Sequence, residues 1–148
     1  MTAALDLAQL LDAVGDAIVV CDAAGAITLW NRAAERMFGF SPDEALGQSL
    51  DIIIPERQRQ RHWDGYHETM RTGITRYGTS LLRVPALHKD GHALSIAFTV
   101  AIVSSGEGRP SQIAAVIRDE TARWKEERDL RKRLAELEAK LKELSQAT

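Results

Sequence analysis

Two histidines, a tryptophan and a tyrosine, His62, Trp63, Tyr66 and His67, stand within six positions of one another. A neutral imidazole is a ready ligand for iron, zinc or copper, and aromatic rings pack flat cofactors. Pro55 suits the first turn of a helix and Gly73 suits its C-terminal cap. Between them Trp63, Tyr66, His67 and Met70 recur at the three-and-four spacing of one helix face. Either this helix floors a binding pocket, or it is an ordinary amphipathic helix with a polar stripe. His62 and His67 are five apart, whereas two metal ligands on one helix face stand four apart, so Asp64 and Glu68 beside them read as a solvated charged face. Asp64, His67 and Thr69 spread around the helix and do not converge as a hydrolytic triad. No glycine-rich phosphate loop occurs, and the chain is expected not to be an enzyme.

The totals narrow the classes. The 148 residues suit one domain with an appendage, and a hydrophobic share of 45% suffices for a packed core. A net charge of −2 argues against general affinity for nucleic acid or anionic membrane. Arg57, Arg59, Arg61 and Arg71 make a local basic patch, but Glu56, Asp64 and Glu68 interrupt it. Apolar runs are too short to span a membrane, and the N-terminus lacks a basic region before an apolar one, so a cytoplasmic location is expected. The single cysteine, Cys21, excludes an internal disulfide and a cysteine-based zinc site, and reads as a small buried hydrophobe.

The elements that must position the helix follow from local pattern. Leu5, Leu7, Leu10, Leu11 and Val14 form a helical stripe within an N-terminal segment, residues 1–15. Residues 17–22 and 26–30 read as a hairpin turning at Asp22–Gly25. Asn31 can cap a helix over Arg32–Phe38 that stops at Gly39, and Ser41-Pro42-Asp43-Glu44 starts another. After Gly78 the pattern becomes extended: residues 80–87, with Pro85 marking an edge strand or a bulge; a turn at Lys89-Asp90-Gly91; residues 94–102; a polar turn over 104–110; and residues 113–118. The strand at 94–102 puts Leu94, Ile96, Phe98, Val100 and Ile102 on one face. Its other face carries only small residues, and a bulky group is expected to press there. Within 121–148, Leu130, Leu134, Leu137, Leu141 and Leu144 follow the alternating steps of a coiled-coil seam. A lone helix of this kind is marginal, so a second copy of itself is the expected partner.

This order of elements is an α+β arrangement, and four stretches resemble the PAS domain: Val20–Glu35, Phe38–Gln48, His88–His92 and Ile117–Thr121, the last similar to the Asp-x-Thr motif ahead of a signalling helix. The resemblance covers roughly residues 6 to 122, within a sensor domain drawn at 16–120. It implies a five-stranded antiparallel sheet with helices on one face and a sensory role, with Asp119 and Thr121 relaying the signal to a homodimeric coiled coil and a downstream effector protein or domain. In the FixL-type haem-binding members one histidine of the long helix ligates the iron. Pro55, His62 and Thr72-Gly73 share the spacing of that helix, which makes His62 the implied axial ligand of haem b, with His67 as the alternative. Tyr66, Met70, Leu82, Ile96 and Phe98 are the implied pocket. The arginine that steadies oxygen in those relatives falls on Leu82, with Arg83 beside it expected to point to the opposite sheet face, and a distal methionine used by related phosphodiesterases falls on Ser80. Such a pocket suits carbon monoxide, nitric oxide or redox sensing. The light-sensing members need a cysteine in this helix, and none is present. Non-covalent flavin against Trp30, Asn31 and Trp63 stays open, as does a cofactor-free dimerisation and interaction module.

Overall fold

The computed structural model describes residues 3–75, 79–104 and 110–147. The polar turn expected over 104–110 lies largely outside the described residues, as does Gly78. In chain order the elements are α1 (Leu7–Ala13), β1 (Ala17–Asp22), β2 (Ile27–Trp30), α2 (Arg32–Phe38), α3 (Pro42–Ala45), a 3-10 turn at Leu50–Ile53, α4 (Glu56–Thr72), β3 (Leu82–Leu87), β4 (Ala93–Ser104), β5 (Pro110–Asp119) and α5 (Thr121–Gln146). The strands form one antiparallel sheet in the order β2-β1-β5-β4-β3, the α+β arrangement expected. β1 lies beside β5, with Ala17 opposite Ile117 and Asp22 opposite Gln112, so the two ends of the domain close the sheet. Pro85 is accommodated because β3 is an edge strand and needs partners on one side only.

Local chemistry sets the joints. Asp22 Oδ1 accepts from the backbone N–H groups of Ala24 and Ala26, both at 3.0 Å, which shapes the β1–β2 turn. Ser41 and Glu44 form a reciprocal capping box at α3. α4 differs slightly from expectation: Pro55 is its N-cap rather than its first helical residue. Gly73, at φ 72°, ends that helix by donating its N–H to Thr69 O at 2.8 Å.

The sheet turns Ala17, Val19 and Cys21 of β1, Ile117 of β5, Leu94 and Ile96 of β4 and Ala86 of β3 toward the helices. Phe38, Ala33 and Ala34 of α2 and Tyr66 of α4 pack on them. The expectation that something bulky presses on the small-residue face of β4 is therefore corrected. The helices cover the large face, because burying Leu94 and Ile96 removes far more apolar surface from water than burying Ser95 or Thr99. The small-residue face instead borders an open depression with Asp16, Leu81, Val116, Arg118 and Glu120.

Asn31 is the polar centre of this packing, only 2% exposed. Its Oδ1 accepts from the N–H groups of Ile18 (2.9 Å) and Ala34 (3.0 Å), and its Nδ2 donates to Leu11 O (2.7 Å) and Asp16 O (3.1 Å). One side chain thus caps α2 and ties the end of α1 to the start of β1. Asn31→Ala removes the cap and leaves buried backbone groups unpaired, so unfolding in urea should show a loss of about 2–4 kcal/mol.

Candidate functional site

α4 lies on the sheet with Tyr66 at the centre of its inward face. The Tyr66 ring is buried and its hydroxyl donates to the backbone oxygen of Asp22 in the β1–β2 turn. Burial, with Cys21 and Asp22 close by, pushes the phenol pKa well up, so it stays protonated. Trp63 flanks it on one side. Its Nε1 donates to Asp51 Oδ1 at 2.7 Å, and its ring lies so close to Gly25 that a Cβ there would meet Trp63 Cη2 at 2.2 Å. Gly25 also sits at φ 87°, so both backbone and space require glycine. Arg59 Nε donates to Ile54 O at 3.0 Å and fastens the first turns of α4 to the chain before it.

His62 occupies the other flank of Tyr66, since successive residues are 100° apart around a helix. Its ring makes an edge contact with Trp63 (centroids 4.6 Å apart) and a tilted one with Tyr66 (5.8 Å). Its Nδ1 is buried with no hydrogen-bond partner. Burial lowers its pKa below the ordinary 6.5, opposed by Asp51 and assisted by His67, so the ring is neutral near pH 7.

The remaining expected residues divide. Met70 is half-buried against the core and Ile96 is buried, while Leu82 and Phe98 are half-buried and face each other across β3 and β4. Val84, between Leu82 and Ala86 on the same strand face, is still 38% exposed. The inward face of β3 and the far half of β4 therefore form an apolar wall that the helices do not fully cover. Arg83 points the other way, as expected, and pairs with Glu120 at 3.5 Å; Ser80 is exposed. His67, the alternative ligand, stacks on Trp63 with ring centroids 6.0 Å apart, at the edge of the stripe, but it is exposed. Trp30 and Asn31 are corrected as flavin contacts. Trp30 is 5% exposed with its Nε1 donating to Phe40 O at 2.9 Å, and every polar atom of the Asn31 amide is engaged by backbone.

Asp119 and Thr121, expected to relay a signal, form a compact joint. Asp119 Oδ1 accepts from Thr121 N (2.9 Å) and Thr121 Oγ1 (2.6 Å), and that hydroxyl oxygen accepts from Ser95 N at 2.9 Å. Glu120 N donates to Ser95 O at 2.8 Å. The start of α5 is thus bonded to β4 beside Ile96. Beyond it, Leu130, Leu134, Leu137, Leu141 and Leu144 are all more than half exposed.

One group went unnoticed in the sequence. His88, Asp90 and His92, read there only as a turn, bring their ligand atoms within 4.8 Å of one another. The signal was the alternation His-x-Asp-x-His across a tight turn, which places the two imidazoles side by side.

A family model described as PAS fold matches residues 5–119. The sensor protein FixL of Bradyrhizobium diazoefficiens is 34% identical over 140 residues, 94% of this chain but 26% of that protein, so the chain spans about a quarter of its relative. A PAS-domain structure from Colwellia psychrerythraea is 26% identical with a TM-score of 0.68, covering 78% of this chain and 94% of the other. An RNA-binding light-oxygen-voltage receptor shares the fold at 20% identity and a TM-score of 0.68, covering 87% of this chain and 36% of that one. Among the described residues no helix is long and apolar enough to cross a membrane.

The lowered pKa of His62 has a stability consequence. The native state is favoured fully above the unfolded value of 6.5, and that contribution is lost as the pH falls from there through the lowered folded value. Between about pH 7.5 and 5.5 the urea midpoint should fall in the native protein and fall less in His62→Gln. The carboxylates with lowered pKa values, Glu44, Glu68 and Asp90, act at more acidic pH and leave this window to histidine.

Proposed function

The chain belongs to the PAS family, and we propose that it is a sensor that holds haem through His62 and transmits the state of that site through α5. The observation that carries this reading is the buried, unpartnered Nδ1 of a neutral His62 in a protein whose other buried side-chain polar atoms, among the described residues, are satisfied. A buried imidazole nitrogen left without a partner fits a ligand's needs better than it fits packing. Bound haem supplies an iron centre that takes a small diatomic molecule or an electron.

The chain's own residues do the rest. His62 supplies the ligating ring, kept neutral by burial. Met70, Leu82, Ile96 and Phe98 exclude water from the wall. Arg83 is engaged with Glu120 on the opposite face and is not directed at the wall. That favours carbon monoxide, nitric oxide or redox state as the signal. Ile96 is flanked by Ser95, whose backbone holds both Glu120 and Thr121, so displacement of the wall reaches the first turn of α5 in one residue step. The exposed leucine seam is the readout: paired with a second copy it has more than one possible register, and occupancy selects between them. A switch from mostly one register to mostly the other requires a difference of about 5.5 kcal/mol. This reading assigns the chain signalling through a homodimer and an effector rather than catalysis.

A cofactor-free dimerisation module is the second reading. It is favoured by Tyr66 and Trp63, which close on Asp22, Asp51 and Gly25 and leave that half of α4 packed entirely on its own protein.

Purified protein reconstituted with hemin should show an intense Soret band that His62→Ala abolishes and His67→Ala retains. A protein that takes up no haem, or a band indifferent to His62, overturns the haem reading. Pairing is tested separately: Leu137→Cys should form an intermolecular disulfide under mild oxidation. Cys21 will not compete, because it is buried and burial pushes its thiol up to about 12.

A further inference from the structure

The β3–β4 turn carries a second constellation, independent of α4. Its backbone is closed by His88 N donating to His92 O at 3.0 Å and Gly91 N donating to His88 O at 2.9 Å. His88 and His92 flank the turn with rings stacked 4.5 Å apart at 19°. The His88 ring is wedged against the C-terminal end of α2. A Cβ on Gly39 would lie 2.5 Å from its Cε1 and 2.6 Å from its Nε2, so Nε2 is turned into the protein and Nδ1 toward Asp90. Lys89 adds two ties, its N–H to Phe38 O at 2.8 Å and its ammonium to Glu44. The turn is therefore held in place before any ligand arrives.

The three ligand atoms already converge on one point of the turn. His88 Nδ1 accepts from Asp90 N at 3.1 Å. Asp90 Oδ1 lies 3.2 Å from that same nitrogen and itself accepts from His92 N at 2.9 Å. His92 Nδ1 contacts the same carboxylate oxygen from the other side. In a tetrahedral zinc site with bonds of about 2.0–2.1 Å, neighbouring donors stand about 3.3–3.4 Å apart. The His88–Asp90 separation already matches that distance.

We propose that His88 Nδ1, Asp90 Oδ1 and His92 Nδ1 form a binding site for one divalent transition-metal ion, represented by Zn²⁺, at the tip of the β3–β4 hairpin. Two imidazoles with one carboxylate select zinc, cobalt, nickel or copper over magnesium or calcium, which prefer all-oxygen shells. Three protein ligands leave at least one position to water. The ion pins β3 to β4 at the end where Leu87 borders an open depression with Pro55, Glu56 and Arg57 at the start of α4. Metal occupancy therefore stiffens the strand that bounds one side of the uncovered wall.

The test uses tag-free, metal-stripped protein titrated calorimetrically with Zn²⁺, with Co²⁺ absorption as the report on nitrogen and oxygen ligation. One equivalent is expected, weakened at least about tenfold in His92→Ala, whose side chain is exposed so that the fold survives its loss. Zn²⁺ should raise the Tm of the native protein and leave that of His92→Ala unmoved. A His62→Ala/His67→Ala double variant should bind as the native protein does, which separates this site from haem. No stoichiometric binding, equal affinity in His92→Ala, or dependence on His62 and His67 overturns the proposal.

Discussion

The pairing of β1 with β5 is the constraint on which the rest of the molecule depends. It joins strands a hundred positions apart, Ala17 opposite Ile117, and converts a hairpin and a meander into one sheet. Once joined, the sheet has one face of Val19, Cys21, Leu94, Ile96 and Ile117 that must leave water, and only the segment between β2 and β3 is available to cover it. α2 and the middle of α4 cover the β1, β2 and β5 side, while the inward residues of β3 and the far half of β4 stay half open. The candidate pocket is thus the part of the sheet that α2 and α4 leave half open.

Polar saturation elsewhere gives His62 its meaning. The Asn31 amide bonds to four backbone groups, Tyr66 to the turn at Asp22, and Trp63 to Asp51. Each of these contacts locks a helix to a strand or a turn, and a buried polar group left unpaired costs about 1–3 kcal/mol. Among the described residues, one buried side-chain nitrogen, on the His62 imidazole of α4, is left without a partner. Trp30 and Tyr66 are committed to the backbone, whereas the His62 ring is not.

The joint between sheet and α5 has a different character. Its bonds are few, local and partly exposed: Thr121 shared between Asp119 and Ser95, Arg83 and Arg123 near Glu120, and Arg118 on Asp16 at 3.2 Å. Exposed ion pairs contribute little individually, so the direction in which α5 leaves the sheet is held mainly by the Thr121 cluster. A joint of this kind can be biased by small movements of β4, as a relay requires.

Much of this was legible in the sequence because it rests on short-range chemistry. The Asn31 and Ser41 caps, the glycines ending α2 and α4, the turn at Asp22, the edge position of β3 and the leucine seam each follow from residues within one or two turns of each other. The 3.6-residue period also marked α4 as amphipathic. What periodicity could not supply was which edge of that stripe faces inward: His67 was placed on it and is exposed, while His62 lies inside. That choice is made by Tyr66, whose hydroxyl finds Asp22 O forty-four positions away and so sets the rotation of the helix. Likewise, the face of β4 that meets the helices, the commitment of Trp30 and Asn31 to backbone, and the meeting of His88 with Gly39 of α2 all depend on contacts between distant segments. Sequence determined the elements and their ends, since those are local free-energy minima. Only tertiary packing decided which donors and acceptors were left over, because a group is unsatisfied only once every distant partner has been placed.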